Sequence, residues 1–371
     1  MIKIANKFLY FIRNETVLFF AVILALISCA IVPPNLGYIN YIDWDTLALL
    51  FGLMAVMQGF QKAGVFVYLA NQLLKTAKTS RKIALILVFL PFVFSTVITN
   101  DVSLITFVPF SIIVLRIAGL QRLVVPVTIM QTIAANIGSS LTPMGNPQNL
   151  YLYTKFEISF SNLLVLMLPY VIITAIFLLI FVLISKSEQV CQIHVNTQSG
   201  NLKTLSCCWL GFIICLLGIF KIIPALAIAA VIAVFLLIAD RKILLSVDYS
   251  LLATFFAFFI FIGNIKSIEG FRIFLSSVIN GHVKALAVIT SQIISNVPSA
   301  LLLSGFTDNW NDLVTGCNIG GLGTLIASMA SLISYKIVAK QYPNLKKQYF
   351  IKFTISNFAL LTLLFTVSFI L

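Results

Sequence analysis

Charge is what this sequence has least of. Only 9% of its 371 residues are Asp, Glu, Lys or Arg, and the acids number 11. A soluble domain carries roughly a quarter charged residues. A water-soluble globule is therefore excluded, because the 60% apolar content would leave large oily surfaces facing water. Histidine is nearly missing, with His194 and His282 alone. The six cysteines (Cys29, Cys191, Cys207, Cys208, Cys215, Cys317) follow no zinc or disulfide spacing. Most lie in or beside apolar runs, where cysteine fills space. No His-Glu-x-x-His, Asp-rich prenyl-transfer motif or phosphate-binding loop occurs. The chain is thus expected not to be an enzyme and to need no cofactor. The net charge of +13 suggests nucleic acid, but the positive residues stand in loops between apolar runs. That arrangement orients membrane proteins, so no nucleic-acid partner is expected and the lipid bilayer is.

What is present is a series of apolar runs long enough for a ~30 Å hydrocarbon core. Crossings are expected near 15–32, 44–61, 125–153, 162–184, 206–221, 222–239, 251–265, 312–334 and 353–371. The basic start (Lys3, Lys7, Arg13) followed by "VLFFAVILALISCAIV" resembles a signal peptide, but the many later spans favour a retained first helix. Two further apolar segments, 83–119 and 285–303, are interrupted by polar turns. The first is flanked by Lys75, Lys78, Arg81 and Lys82 before it and by Arg116 and Arg122 after it. Basic flanks on both sides place both ends in the cytoplasm, so the segment reads as a re-entrant hairpin. With nine crossings, two hairpins and a cytoplasmic N-terminus, nineteen of the 24 Lys and Arg residues fall inside. Five fall outside: Lys155, Lys221, Lys266, Arg272 and Lys284. No Lys or Arg is expected to be buried within the spans.

The halves resemble one another. "DWDTLALLFGLMAVMQGFQKAG" (43–64) parallels "DYSLLATFFAFFIFIGNIKSIEG" (248–270), and "ITNDVSLITFVP" (98–109) parallels "ISNVPSALLLSG" (294–305). "NIGSSLTPMGNPQNLYLY" (136–153) parallels "NIGGLGTLIASMASLISY" (318–335). Helix 44–61 is expected to run inward and 251–265 outward, which makes the halves inverted copies, a mark of secondary transporters. The fold class is an all-α polytopic membrane protein. Its parts are an N-terminal helix (1–40), a first repeat (41–185; hairpin 83–119, broken helix 125–153), a cytoplasmic linker (186–205) and a second repeat (206–371; hairpin 285–303, broken helix 312–334).

Non-helical backbone at membrane depth is tolerated only where it lines a protein-walled or wet cavity. Four segments break in this way: the tips Thr99-Asn100-Asp101 and Ser295-Asn296-Val297, and the interruptions beginning at Asn136 and Asn318. Pro143 and Pro147 lack N–H donors, while Gly138, Gly145 and Gly320 allow unusual backbone or close approach. Unwound stretches offer carbonyls to a cation and N–H groups to an anion. Asn136, Thr142, Asn146, Asn149, Asn318, Thr324 and Ser328 add neutral donors and acceptors, with Ser331 beside them. Such residues also cap short helices, but polar groups at a membrane midplane more often line a pathway. Asp101 is the only acid between Asp45 and Glu157. It reads either as a coupling-ion ligand or as a helix cap.

The repeat, the Asn-containing tips and "NIG…GNPQN" resemble the ion-transporter superfamily over residues 40–371. That group includes divalent-anion/sodium symporters, citrate-transporter-like permeases, arsenite-pump membrane subunits and sodium/proton antiporters. In the symporters the tips carry Ser-Asn-Thr. Here the central Asn and the preceding hydroxyl are kept and the final Thr is not, and Asn-Asp is closer to the arsenite and antiporter branches. The resemblance implies a small anion moved across the inner membrane by alternating access, coupled to sodium or protons. Candidate sodium ligands are Asn100, Asp101 and Asn296. A homodimer is a further implication, and a sodium/proton antiporter is the alternative reading.

Overall fold

The computed structural model describes residues 15–190 and 202–370. Cys191, His194 and most of the expected linker lie outside the described residues. Among the described residues every regular element is helical. The first group is α1 (Thr16–Ile31), α2 (Trp44–Lys62), α3 (Val65–Leu74), α4 (Ser80–Phe94) and α5 (Asn100–Ile117). Then come α6 (Val124–Gly138), α7 (Pro147–Lys155), α8 (Phe160–Ile184), α9 (Leu202–Ile219), α10 (Ala225–Ala239) and α11 (Arg241–Leu245). The chain ends with α12 (Tyr249–Ser267), α13 (Glu269–Ile279), α14 (Val283–Ile294), α15 (Asn296–Leu303), α16 (Trp310–Gly320), α17 (Met329–Gln341) and α18 (Lys346–Val367).

Five helices are long and apolar enough to cross a membrane, or seven if the bent pairs α2/α3 (52°) and α13/α14 (107°) each count as one span. One of the five is α5, expected here as a hairpin arm. The other expected crossings are either short apolar helices (α1, and parts of α9 and α10) or the broken pair α16/α17. Two boundaries move: α9 begins at Leu202 and α18 at Lys346, so Lys346, Lys347 and Lys352 are helical. Two amphipathic helices, α3 and α13, were not anticipated. Phe271, Ile273, Phe274 and Val278 of α13 are all exposed.

Local chemistry sets the starts. Asp43 accepts the Thr46 N–H at 2.9 Å and so caps α2, and Asp248 accepts the Leu251 N–H at 2.9 Å to cap α12. These are equivalent places in the two matched segments. Capping satisfies an N–H that the first turn leaves unpaired. Among the described helices, α1 packs on α12, and α2 packs on α9 and α10. The hairpins and broken helices pack mostly on each other, α4 on α6 and α14 on α16.

Among the described residues four ion pairs mark the ends of the bundle: Lys62–Asp240, Arg122–Glu188, Lys221–Glu157 and Lys284–Asp312. Each joins partners that the charge pattern puts on one side. Arg122 holds the Glu188 carboxyl below the usual carboxylate range by hydrogen bond and charge, and Lys62 does the same for Asp240. Ser80 N–H also donates to the Glu188 carbonyl at 2.8 Å. Both ends of the segment 80–122 therefore meet at Glu188, so this segment enters the bundle and returns. Lys284, before the second tip, pairs with Asp312 beyond it at 3.2 Å and donates to the Ser368 carbonyl at 2.6 Å. Arg116 stands over the Tyr342 ring, just before α18. The 22 residues of α18 then carry the chain about 33 Å to Ser368 and Lys284. The two hairpins thus open toward opposite ends.

Candidate functional site

The first tip is a turn between α4 and α5. Thr99 is the N-cap of α5, its hydroxyl accepting from Val102 N–H at 3.5 Å, and Asn100 Oδ1 accepts the Asp101 N–H at 2.9 Å. Asp101 makes no capping bond. Its Oδ1 is buried without a hydrogen-bond partner. The cap reading of Asp101 is therefore overturned, because Thr99 and Asn100 already serve the backbone there. The second tip is tighter: only Ser295 separates α14 from α15, with φ +77. Asn296 N–H donates to the Ala327 carbonyl at 2.9 Å, and the Ser295 hydroxyl to the same carbonyl at 3.4 Å.

The helix breaks lie beside the tips. α6 stops at Gly138, two 3-10 turns follow, and α7 resumes at Pro147, whose missing N–H costs nothing at a first helical position. Asn146 caps α7 by accepting the Asn149 N–H at 2.9 Å. A side chain at Gly138 would bring its Cβ to 2.3 Å from the Phe92 carbonyl oxygen, and at Gly145 to 2.1 Å from that of Ser139. A Cβ at Gly320 would crowd Ser291 at 2.9 Å. These three glycines let backbone segments approach closely and so shape the site.

Two clusters form where the halves meet. Asn136 Oδ1 accepts from Asn100 Nδ2 at 3.3 Å and from the Ser328 hydroxyl at 2.9 Å, while its Nδ2 donates to Ser331 Oγ at 3.2 Å. Asn318 Oδ1 accepts from Asn146 Nδ2 at 3.1 Å, and its Nδ2 donates to Asn149 Oδ1 at 2.6 Å. Ser328 and Ser331 follow Asn318 by ten and thirteen residues, as Asn146 and Asn149 follow Asn136. Each broken helix therefore holds the asparagine of the other through the same two positions. The Thr142 hydroxyl donates to the Thr96 carbonyl, and the Thr324 hydroxyl to the Gln292 carbonyl at 3.1 Å. Thr96 and Gln292 each stand four residues before a tip asparagine. The Ser103 hydroxyl reaches the Pro91 carbonyl at 3.5 Å, and the matching Ser299 hydroxyl reaches that of Ala287 at 3.3 Å.

The expected residues thus divide. Asn100, Asn136, Asn146, Asn149, Asn318 and Ser328, with Ser331, come together in buried hydrogen-bonded clusters. Thr142 and Thr324 tie the breaks to the hairpin backbones. Asn296 Nδ2 lies against Gly321, where an added Cβ would be 2.8 Å away. Asp101 stands outside the hydrogen-bonded clusters. Among the described residues no group of three or more His, Cys, Asp or Glu could hold a metal ion.

Several groups escaped the reading of the sequence. Lys155 is half-buried, its amine donating to the Tyr151 hydroxyl at 2.9 Å and Ser304 Oγ at 3.0 Å. It lies just beyond the expected crossing 125–153, where the end of α7 meets the second hairpin. The Thr132 hydroxyl meets Ser334 Oγ at 2.8 Å, and Ser334 meets the Tyr349 hydroxyl at 2.9 Å. Gln131 donates to the Leu87 carbonyl and to Ser111 Oγ, both at 2.7 Å. Polar residues within apolar runs were the signal for Gln131, Gln292 and Ser334, and nothing in the sequence named their partners.

The family model described as Citrate transporter matches residues 4–309. The chain belongs to the citrate transporter family. Relatives of this citrate-transporter-family chain point the same way. An uncharacterized transporter of Methanocaldococcus jannaschii is 33% identical over 325 residues, covering 86% of this chain and 88% of that protein. The inner membrane protein YbiR of Escherichia coli is 32% identical over 304 residues, 80% of each chain. The rice silicon efflux transporter LSI3 is 34% identical over 129 residues, 34% of this chain and 26% of that protein. Membership makes the chain a multi-pass membrane transporter, and the apolar helices fit that class.

Proposed function

We propose that this citrate-transporter-family protein is a secondary active carrier that moves a small carboxylate or inorganic oxyanion, coupled to sodium or protons, by alternating access between inverted repeats. The observation that carries the reading is the reciprocal clasp of Asn136 and Asn318. It puts neutral amides and hydroxyls, beside two unwound helix breaks, in the middle of the bundle. No Lys or Arg belongs to either cluster. An anion there would be held by amides, hydroxyls and the N-terminal ends of α7 and α17, with a cation offsetting its charge. The charge pattern supports a cytoplasmic N-terminus, and the Escherichia coli relative, named an inner membrane protein, supports that membrane.

Calorimetry of the purified chain against carboxylates, phosphate, sulfate and arsenite, with and without sodium at two pH values, tests the reading. An anion that binds, more tightly with sodium or at lower pH, is the expected result. The buried and unpartnered Oδ1 of Asp101 favours one second reading, a sodium/proton antiporter. In that case no anion binds, and sodium pulses move protons in proteoliposomes.

A further inference from the structure

Gln292 sits in α14 one turn before the second tip, and its side chain belongs to neither asparagine cluster. Its Nε2 donates to three backbone carbonyls: Gly320 at 2.8 Å, Leu322 at 3.0 Å and Val288 at 3.2 Å. The first two close the broken end of α16. Its Oε1 accepts the Thr324 N–H at 2.9 Å. Carbonyls at the C-terminal end of a half-helix carry the negative end of its dipole, and unwound carbonyls at membrane depth coordinate cations in carriers built from repeats. Here an amide of the chain itself occupies that carbonyl niche, so its acceptors are satisfied without an ion.

The first half differs at the two matched positions. The counterpart of Gln292 is Thr96, whose hydroxyl donates to the Val93 carbonyl at 2.7 Å and not to the neighbouring break. The counterpart of Val297 is Asp101, with its buried unpartnered oxygen. One tip therefore has a tethered donor and no acid, and the other has an acid and no tethered donor.

We propose that the Gln292 side-chain amide stands in place of a cation at the second break, so that the protein binds a single coupling cation, at the first tip beside Asp101. The substitution of amide for ion rests on the contacts of Gln292 alone. The count of one rests on the coupled-carrier reading above. At the second break the niche is filled at no ionic cost, and an asymmetric pair of tips gives one titratable or cation-ligating carboxylate per chain.

The test uses the full chain, purified in detergent, with unfolding followed in sodium chloride or choline chloride at equal ionic strength. A ligand that binds only the folded state raises its midpoint by mass action. Gln292→Ser opens the carbonyl niche, and Gln292→Glu keeps the acceptor for Thr324 while replacing the donor by a carboxylate. Each is expected to gain a sodium-dependent rise of several degrees beyond that of wild type. Folded variants that show no such gain overturn the proposal. Binding of radioactive sodium to wild type is expected to saturate at one ion per chain and to be lost in Asp101→Asn. A wild type that binds neither sodium nor, by pH titration of its stability, a proton at Asp101 overturns the count. Two sodium ions per wild-type chain overturn it even if neither Gln292 variant folds. None of these readouts needs an anion. A gain of sodium response in a protein that binds no anion would sink the carrier reading and leave the role of Gln292 standing.

Discussion

The Asn318 side-chain nitrogen lies 2.6 Å from Asn149 Oδ1, the shortest amide-to-amide contact in the site, across 169 residues of sequence. It fastens the first broken helix to the second, joining the first turn of α7 to the last turn of α16 beside the two breaks. The mirror contact runs from Asn136 to Ser331, amide to hydroxyl, at 3.2 Å. The clasp is therefore shorter at this contact on the Asn318 side, while Asn136 gathers more side-chain partners in Asn100, Ser328 and Ser331.

Removing Asn318 leaves Asn149 Oδ1 buried without this donor, and removing Asn149 leaves Asn318 Nδ2 with the Val314 carbonyl. Asn318→Ala and Asn149→Ala are each expected to lower stability by about 1–3 kcal/mol. A double-mutant cycle is expected to give a coupling of roughly 0.5–2 kcal/mol. Denaturation of the four proteins in detergent measures it, and a coupling of zero would mean that the two amides act independently.

Transport should depend on both tips. Asn100→Ala and Asn296→Ala are expected to abolish uptake of whichever anion the calorimetry identifies, in protein that still reaches the membrane and elutes as a single species. A variant that carries the anion at near wild-type rates would make that tip a packing feature.

Asp101→Asn keeps shape and hydrogen-bonding capacity and removes charge. For a coupled anion carrier the expected result is loss of sodium or proton dependence with anion binding retained. A carboxylate in direct contact with the anion would repel it by several kcal/mol at an effective dielectric near 20. In an antiporter the same change ends all transport. Coupling and affinity that both match wild type would leave Asp101 without a role in either.

Sidedness is open to chemistry. Single cysteines at Lys82 and Arg122, in a background without other cysteines, are expected to react with an impermeant thiol reagent from one side, and cysteines at Lys284 and Asp308 from the other. Labelling of Lys82→Cys and Arg122→Cys from opposite sides would contradict their common meeting point near Glu188. The Arg122–Glu188 tie also has a pH sign. The folded carboxyl of Glu188 is held below its ordinary value, so its contribution is present at neutral pH and is lost as pH falls through and below the carboxylate range. Both partners are exposed, and Glu188→Gln is expected to erase the small acid-side difference without unfolding the protein.

Glycines separate packing from permissiveness. Gly145→Ala would set a Cβ 2.1 Å from the Ser139 carbonyl oxygen and 2.7 Å from that of Ser95. Both obstacles are backbone, so a loss of about 1–3 kcal/mol or more is expected. Gly270→Ala, in the amphipathic helix α13, meets nothing within 4 Å and is expected to be neutral or to stabilise by up to about 1 kcal/mol. Thermal midpoints of the two variants decide between these expectations.

The sequence by itself determined the class of the protein and the four places where its helices break. Those features are local: lipid rejects charge, and a chain in lipid keeps helical bonding except where Pro, Gly and Asn interrupt it. "NIGSSLTPMGNPQN" and the two Asn-bearing tips announced themselves for that reason. Tertiary structure alone decided who meets whom. It put Ser328 and Ser331 on Asn136, and Asn146 and Asn149 on Asn318. It left Asp101 without a capping role, turned the amide of Gln292 into the α16 break and covered Lys155 with Ser304. Except for Asp101, whose caps are its own neighbours, these partners are 28 to 195 residues apart. No periodicity or propensity encodes such pairs. The asparagine clasps follow from the packing of two halves against each other, which brings each break within hydrogen-bonding reach of the other half's asparagine, and the Gln292 contact from the second hairpin folding back on its own broken helix.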